Sequence, residues 1–282
     1  MVDDPRQDAF ATLSSFSREV DGIFSRLFGP GWSSNRHVVV VCLVFSGEGL
    51  TTREISSRSG MGRRGVSRLV TSLRSDGLVK LSRLTQDGRS MAVILTAAGI
   101  ERGRLLSEAL DECFSRYVAR AEEVIAALGG RIDSGGTVET DPVAITRRLA
   151  AAGVELVDDI ESTQVGAEVV GRQRTALMQL GARGPLRPSD LADAVGASRS
   201  GTSYVIDELC RRELAVRRRG ADPGDGRVVV VELTPRGADA AREIAAAYQR
   251  QNEPVIAAFS DIARWDRRGA HSPEESRRQR GA

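Results

Sequence analysis

The stretch DGRSMAVILTAAG, Asp87–Gly99, is written a second time as DGRVVVVELTPRG, Asp225–Gly237. Each copy has Asp-Gly-Arg, an apolar run, Leu-Thr and a Gly three residues after the Thr, at a constant offset of 138. A repeat of this length means two copies of one structural unit, and it governs every other reading of the chain. Upstream the likeness continues. LTTREISSRSGMGRRGVSRLVTSLRSDGLV from Leu50 aligns with LRPSDLADAVGASRSGTSYVIDELCRRELA from Leu186 at an offset of 136. The second copy therefore has two extra residues before Asp225, and insertions of that kind belong in loops.

The local patterns give each copy the same plan. Thr51 and Glu54 form a capping-box pair that starts a short helix, Thr52 to Ser59, which Gly60 ends. A second helix from about Arg63 to Ser75 buries Val66, Leu69, Val70 and Leu73 and leaves Arg63, Arg64, Ser67, Arg68 and Thr71 outside. In the second copy Pro188 opens the short helix and Ser198 caps the longer one, whose inner stripe is Thr202, Val205, Ile206 and Leu209. Two such helices around a Gly-containing turn read as helix-turn-helix. Apolar runs Leu78–Leu84 and Met91–Leu95, and Leu214–Arg219 and Val228–Leu233, flank polar tips and read as hairpins, so each unit is a winged helix.

Long helices flank both units. Phe10, Leu13, Phe16, Val20, Ile23, Phe24 and Leu27 recur at helical spacing before the first, and Ala97 to Leu128 follows it. Pro142 to Thr163 precedes the second unit, and a helix from Pro235 to about Ile262 follows it. HVVVVCLVF, His37–Phe45, has strand propensity, but the repeat sets it opposite the helical QRTALMQL, and it is read as a helix. The fold class is mainly α with small β-wings. Domains are expected over 1–128 and 142–263, joined by a Gly-rich linker over 129–141 and followed by a disordered basic tail over 264–282.

Composition narrows the function. At 282 residues, 41% hydrophobic and 28% charged, the chain has the make-up of two soluble globular domains. The longest apolar run, Val38 to Phe45, is too short to span a membrane, the N-terminus is not a signal peptide, and the expected location is the cytoplasm. Cys42, Cys113 and Cys210 are odd in number and widely spaced, which suggests neither a disulfide framework nor a zinc site. His37 and His271 are too few and too distant for a metal cluster. No phosphate loop, metalloprotease motif, nucleophile elbow or His-paired Cys is present, so neither an enzyme nor a cofactor is expected.

Nucleic acid is the partner the charges favour. Between Leu50 and Ser90 there are nine basic and three acidic residues, in a chain whose net charge is only +2. Between Arg183 and Arg236 there are ten basic and eight acidic, so basic character is concentrated in the first unit. An outer face of Arg and Ser on an exposed helix suits the major groove, with Arg pairing bidentately with guanine. A wing-tip Arg, Arg89 or Arg227, can enter the minor groove, oriented by Asp87 or Asp225 two residues earlier.

These motifs together resemble the MarR-type winged-helix transcriptional regulators: the two helix-turn-helix blocks, each joined to a wing with Asp, Arg and then Leu-Thr-x-x-Gly before a long helix. The resemblance covers most of both halves but not the linker or the tail. It implies DNA contact by Arg63, Arg64, Ser67, Arg68 and wing Arg89, and by Ser198, Arg199, Ser200, Ser203, Tyr204 and wing Arg227. Members of this family are homodimers whose first and last helices interlock, so this chain looks like a whole dimer fused through Gly129–Asp141. Thirteen extended residues span up to about 43 Å, enough to join helix ends at a shared dimerisation tip. The expectation is a single-chain pseudo-dimer on an asymmetric operator, a repressor released by a small aromatic or phenolic effector. Phe16, Trp32, His37 and Val41 are the candidate pocket residues, although for the aromatics of the first half, Phe10, Phe24, Phe28, Phe45, Phe114 and Tyr117 with them, core filling is favoured about twofold residue by residue. The peroxide-sensing members carry a Cys near the start of the first helix, and this chain has none there.

Two other readings stay open at this point. A tandem winged-helix adaptor would bind protein through one or both lobes, and Tyr204, Asp207 and Glu208 dilute the basic face of the second. A non-specific architectural DNA binder would want more net charge than +2. Re-pairing of two chains through remnants of the dimer surface also stays open.

Overall fold

Seven consecutive residues, Val38 to Val44, are buried in helix α2 (Asn35–Phe45), which begins at the Ser34 cap. A helix apolar on all sides belongs inside a core, and burial overrides the strand propensity of its valines. The computed structural model describes residues 5–47, 49–83, 91–132, 138–163, 168–219 and 228–265, with side chains from residue 12 onward. These residues sort into two compact units, 1–154 with 252–282 and 155–251.

In the first unit, α1 (Pro5–Phe28) and α2 precede a short α3 (Thr52–Ser59) and α4 (Arg63–Ser75). The Thr51–Glu54 capping box is complete, and Gly60 ends α3 in the left-handed region at φ 64°. The strands β1 (Val79–Arg83) and β2 (Met91–Leu95) pair antiparallel with Val79 opposite Leu95 and Arg83 opposite Met91. Leu50 adds a short third rung by accepting from the Val93 amide at 2.8 Å. Then comes the long α5 (Ala97–Ala127), against which α1 packs. Phe16 on α1 stacks on Phe114 of α5 at 5.9 Å and meets Tyr117 edge-on at 5.1 Å.

The same unit is completed by chain from much further on. The start of α6 (Pro142–Ser162) contributes Val143, Ile145, Ala150 and Val154 to this core. Helix α11 (Asn252–Ala263) lies along α5 and contributes Ala258, Phe259 and Ile262, with Phe259 5.3 Å from Phe16. Asp261 is buried there, accepts the Glu139 amide at 3.1 Å and pairs with Arg148.

The second unit repeats the plan with α7 (Arg172–Arg183), α8 (Pro188–Val195), α9 (Arg199–Arg211), β3 (Ala215–Arg219), β4 (Val229–Leu233) and α10 (Pro235–Arg250). Its hairpin pairs Ala215 with Leu233 and Arg219 with Val229, and Leu186 exchanges two hydrogen bonds with Val231, at 3.0 and 2.8 Å. The core is aliphatic, built on Leu177, Leu180, Leu191, Ile206, Leu209, Val231 and Ile244, with Ile160 from the end of α6.

Two expectations are corrected. The helix foreseen from Pro235 to Ile262 is two helices, broken at Gln251. Pro254 has no N–H to give the Arg250 carbonyl, so it cannot sit inside a continuous helix and occupies the first turn of α11 instead. The tail foreseen as disordered from residue 264 is anchored at its start. Trp265 is buried, lies edge-on to Phe114 at 5.1 Å and donates its indole N–H to Asp111. Burying so large an apolar surface outweighs the polar composition around it.

The repeated Leu-Thr-x-x-Gly has a geometric cause. Thr96 caps α5 by accepting the Gly99 amide at 3.0 Å, while its hydroxyl donates to the Gly77 carbonyl at 2.6 Å and its amide to the Leu78 carbonyl at 3.0 Å. Thr234 makes the same three contacts with Gly237, Glu213 and Leu214, at 3.0, 2.6 and 3.1 Å. The strand entry lies so close to the helix start that a Cβ on Gly99 or Gly237 would fall 1.9 or 1.8 Å from a carbonyl oxygen. The motif is the rivet between wing and long helix, and only Gly fits it.

Candidate nucleic-acid interface

Helix α4 turns Val66, Val70 and Leu73 inward, which leaves Arg63, Arg64, Ser67 and Arg68 exposed along one continuous outer surface. The three arginines have no hydrogen-bond or ion-pair partner among the described residues. No side chain caps α4, whose first residue follows Gly62, so no side chain of the helix start competes for its leading amides. Positive helix end and guanidinium groups together make a strong attractor of phosphate and of guanine edges.

Helix α9 presents the corresponding surface of the second unit with different chemistry. Ser198 caps it through the Gly201 amide at 3.2 Å, and its hydroxyl lies 3.1 Å from that of Ser200. Arg199, Ser200, Ser203 and Tyr204 are exposed, and the Tyr204 side chain is 65% accessible. Carboxylates then enter the same outer surface. Asp207 pairs with Arg217 of β3 at 2.8 Å, Glu208 with Arg211 at 2.7 Å and Arg212 at 3.6 Å, and Glu232 with Arg218. The charges at the base of this hairpin are therefore largely compensated within the protein. Asp87, Arg89, Asp225 and Arg227 lie outside the described residues.

Of the four residues expected to line an effector pocket, the structure brings two together. Trp32 and His37 face each other with ring centres 5.9 Å apart at a groove bordered by Pro30, Met61, Arg63, Arg68 and Leu69. His37 Nδ1 lies 2.6 Å from the Gly31 carbonyl, which can only accept, so this nitrogen carries the proton. Phe16 and Val41 do not border this groove and are packed in the core, to which the buried Trp32 also belongs. Sequence reasoning set Leu69 in the buried stripe of α4, where it is in fact only half-buried, and did not single out Met61. Their position, one just before and one just after the Arg63–Arg68 face, is a signal that could have found them.

The thiols offer no alternative chemistry. Cys113 is buried and its pKa is pushed up to about 12 by desolvation; Cys42 is raised further by the same cause, and Cys210 is raised as well. A buried thiol held protonated is a poor nucleophile. Among the described residues no group of His, Cys, Asp or Glu is arranged to hold a metal, and no helix is long and apolar enough to cross a membrane.

Helices α7, α8 and α9 with strand β3 decide the assignment, because residues 171–228 match the family model described as MarR family. The chain carries a MarR-family domain. Similar solved structures include RV1404 from Mycobacterium tuberculosis, 29% identical over 41% of this chain and 78% of that one, with a TM-score of 0.35. The PcaV transcriptional regulator of Streptomyces coelicolor, solved with its natural ligand, is 31% identical over 42% and 81%, with a TM-score of 0.30. BpsR of Bordetella bronchiseptica, whose DNA binding is regulated by 6-hydroxynicotinic acid, is 21% identical over 48% and 92%, at 0.30. No curated protein matches the chain significantly. The described residues are mostly helical with small antiparallel hairpins, and the stretch that matches the family model contains the second helix-turn-helix.

Proposed function

We propose that the chain is a sequence-specific DNA-binding repressor of MarR type that works as a single-chain pseudo-dimer, in the cytoplasm, on an asymmetric operator. The observation that carries this reading is the outer face of α4, where Arg63, Arg64 and Arg68 are exposed and have no partner among the described residues. Desolvating three such cations is favourable only against a polyanion. Under this reading residues 1–128 and 142–263 are the two lobes and 129–141 the connection between them. The pseudo-dimer is supported inside the first unit, whose core takes α11 and the start of α6 from the second repeat. Joining two subunits replaces concentration-dependent pairing by an effective concentration that reaches about the millimolar range.

The groove beside Trp32 and His37 supports release by a flat aromatic anion. The largely buried indole forms part of the apolar wall, and Arg63 and Arg68 on the rim supply the charge. Such a ligand would draw on the same guanidinium groups that DNA needs, so the two would compete.

The test is fluorescence anisotropy of the full chain on the duplex upstream of its own gene and on a scrambled duplex, over a salt series and with stoichiometry. One chain per site, with a preference of at least about a thousandfold for the native duplex, is the expected result. Arg68→Ala should weaken the native complex by about tenfold or more. A second reading, an adaptor that uses the second lobe for a protein partner, is favoured by the compensated charges around Asp207 and Glu208. Failure of random-sequence selection to enrich any duplex would displace the repressor reading in its favour.

A further inference from the structure

Helices α4 and α9 are the same element twice, thirteen residues each, with equivalent buried stripes, and their outer faces can be compared position by position at the offset of 136. Arg63 corresponds to Arg199 and Ser67 to Ser203, whereas Arg64 is replaced by the small Ser200. The sixth residue differs in kind, Arg68 in α4 and Tyr204 in α9.

A guanidinium offers only donors, in a planar fork that matches the O6 and N7 acceptors of guanine. A tyrosine ring offers no donor along its edges and a single hydroxyl at its tip. The feature of the major groove that an aromatic edge can satisfy is the C5-methyl group of thymine. Tyr204 is built for such contact. It is 65% exposed, neither ring contact nor hydrogen bond holds it among the described residues, and Ser200 and Ser203 beside it are small enough to let the ring reach forward. Asp207, one turn further along the same face, adds a carboxylate paired with Arg217, so this part of the face carries less of the positive charge that backbone contacts need.

We propose that Tyr204 is the specificity-determining residue of the second lobe, reading a thymine through its methyl group where Arg68 of the first lobe reads a guanine. The proposal rests on the DNA-binding reading and adds the cause of the operator's asymmetry: one half-site carries a guanine requirement, the other a thymine requirement.

The experiment begins with selection of bound duplexes from random DNA by the full chain. Each thymine of the second half-site is then replaced in turn by deoxyuridine, which pairs identically but lacks the methyl group. For the wild-type chain, one replacement should weaken binding by about fourfold, the factor that burying one methyl group is worth. Tyr204→Phe should keep that discrimination and Tyr204→Ala should remove it, while discrimination at the other half-site is unchanged. Tyr204→Arg should move the selected base to guanine. Uniform weakening of all duplexes by Tyr204→Ala, with every thymine-to-deoxyuridine ratio intact, would overturn the proposal and make Tyr204 a backbone contact. If the wild-type chain enriches no sequence, the DNA-binding reading itself fails and takes this one with it.

Discussion

Trp265 donates its indole N–H to Asp111 at 2.7 Å although 154 residues separate them in the chain. The bond pins the segment after α11 to the middle of α5, in a ring cluster with Phe114 and, beyond it, Phe16. Removing the ring leaves a cavity that α5 cannot collapse around, and Trp265→Ala should cost the first unit about 3 kcal/mol. Asp111→Ala, which removes only the acceptor, should cost about 1 kcal/mol. Trp32 and Trp265 are the only tryptophans and both belong to the first unit. Urea titration of Trp32 fluorescence in Trp265→Ala should therefore show an earlier transition than far-UV circular dichroism, which averages both units.

Gly99→Ala and Gly237→Ala should each destabilise their own unit by about 2–3 kcal/mol, despite the better helix propensity of alanine. The new methyl group would fall on the Leu78 or Leu214 carbonyl, and the wing would have to back away from the long helix. Equal or raised melting temperatures would show that this joint yields easily.

Glu213 has φ 59°, a left-handed conformation costly for a residue with a side chain, and the first copy has Gly77 at the matching place with φ 72°. Glu213→Gly should raise stability by about 1 kcal/mol, and Gly77→Ala should lower it by a similar amount. Paired thermal melts of the two variants test this directly.

The capping box predicts a pH dependence of known sign. The amide and hydroxyl of Thr51 hold the Glu54 carboxyl below its usual range. Its contribution is fully present above the unfolded-state value and is lost as the pH falls through the lower folded-state value. Thr51→Ala should cost about 1 kcal/mol at neutral pH and progressively less in acid. The measurement is the stability difference between the two chains at pH 7 and near pH 3.

Thiol labelling of the native chain should follow burial. Cys210, half-buried on α9, should react with a soluble disulfide reagent first, while Cys42 and Cys113 stay protected until the first unit opens. Rapid labelling of Cys113 in the native chain would reveal an opening of α5 from its neighbours.

What could be read from the sequence was what the repeat wrote twice. Both helix-turn-helix pairs, the two hairpins and the helical state of the Val38–Val44 run follow from aligning one copy on the other, and the Arg63–Arg68 face follows from helical period. What escaped was what occurs once. Pro254 broke a helix that alanine-rich periodicity made continuous, because a single residue without an N–H outweighs the average of its neighbours. Trp265 stands alone among charged residues, with no period to announce that it is buried. The groove proposed for an effector was half legible: Trp32 and His37 meet at it, while Phe16 and Val41 serve packing, since aromatic content by itself does not distinguish a lining residue from a core one.

Because α11 and Trp265 complete the first unit, this unit cannot close while it is being synthesised. About 100 residues must leave the ribosome between Val154 and the segment that caps the core, which at about 5–20 residues per second is a delay of roughly 5–20 s. The second unit, continuous from 155 to 251, is whole before the first is. The nascent N-terminal half therefore waits with Phe16 and Phe114 uncovered, and a message cut short before codon 252 yields a chain with one finished lobe and one sticky, unfinished one.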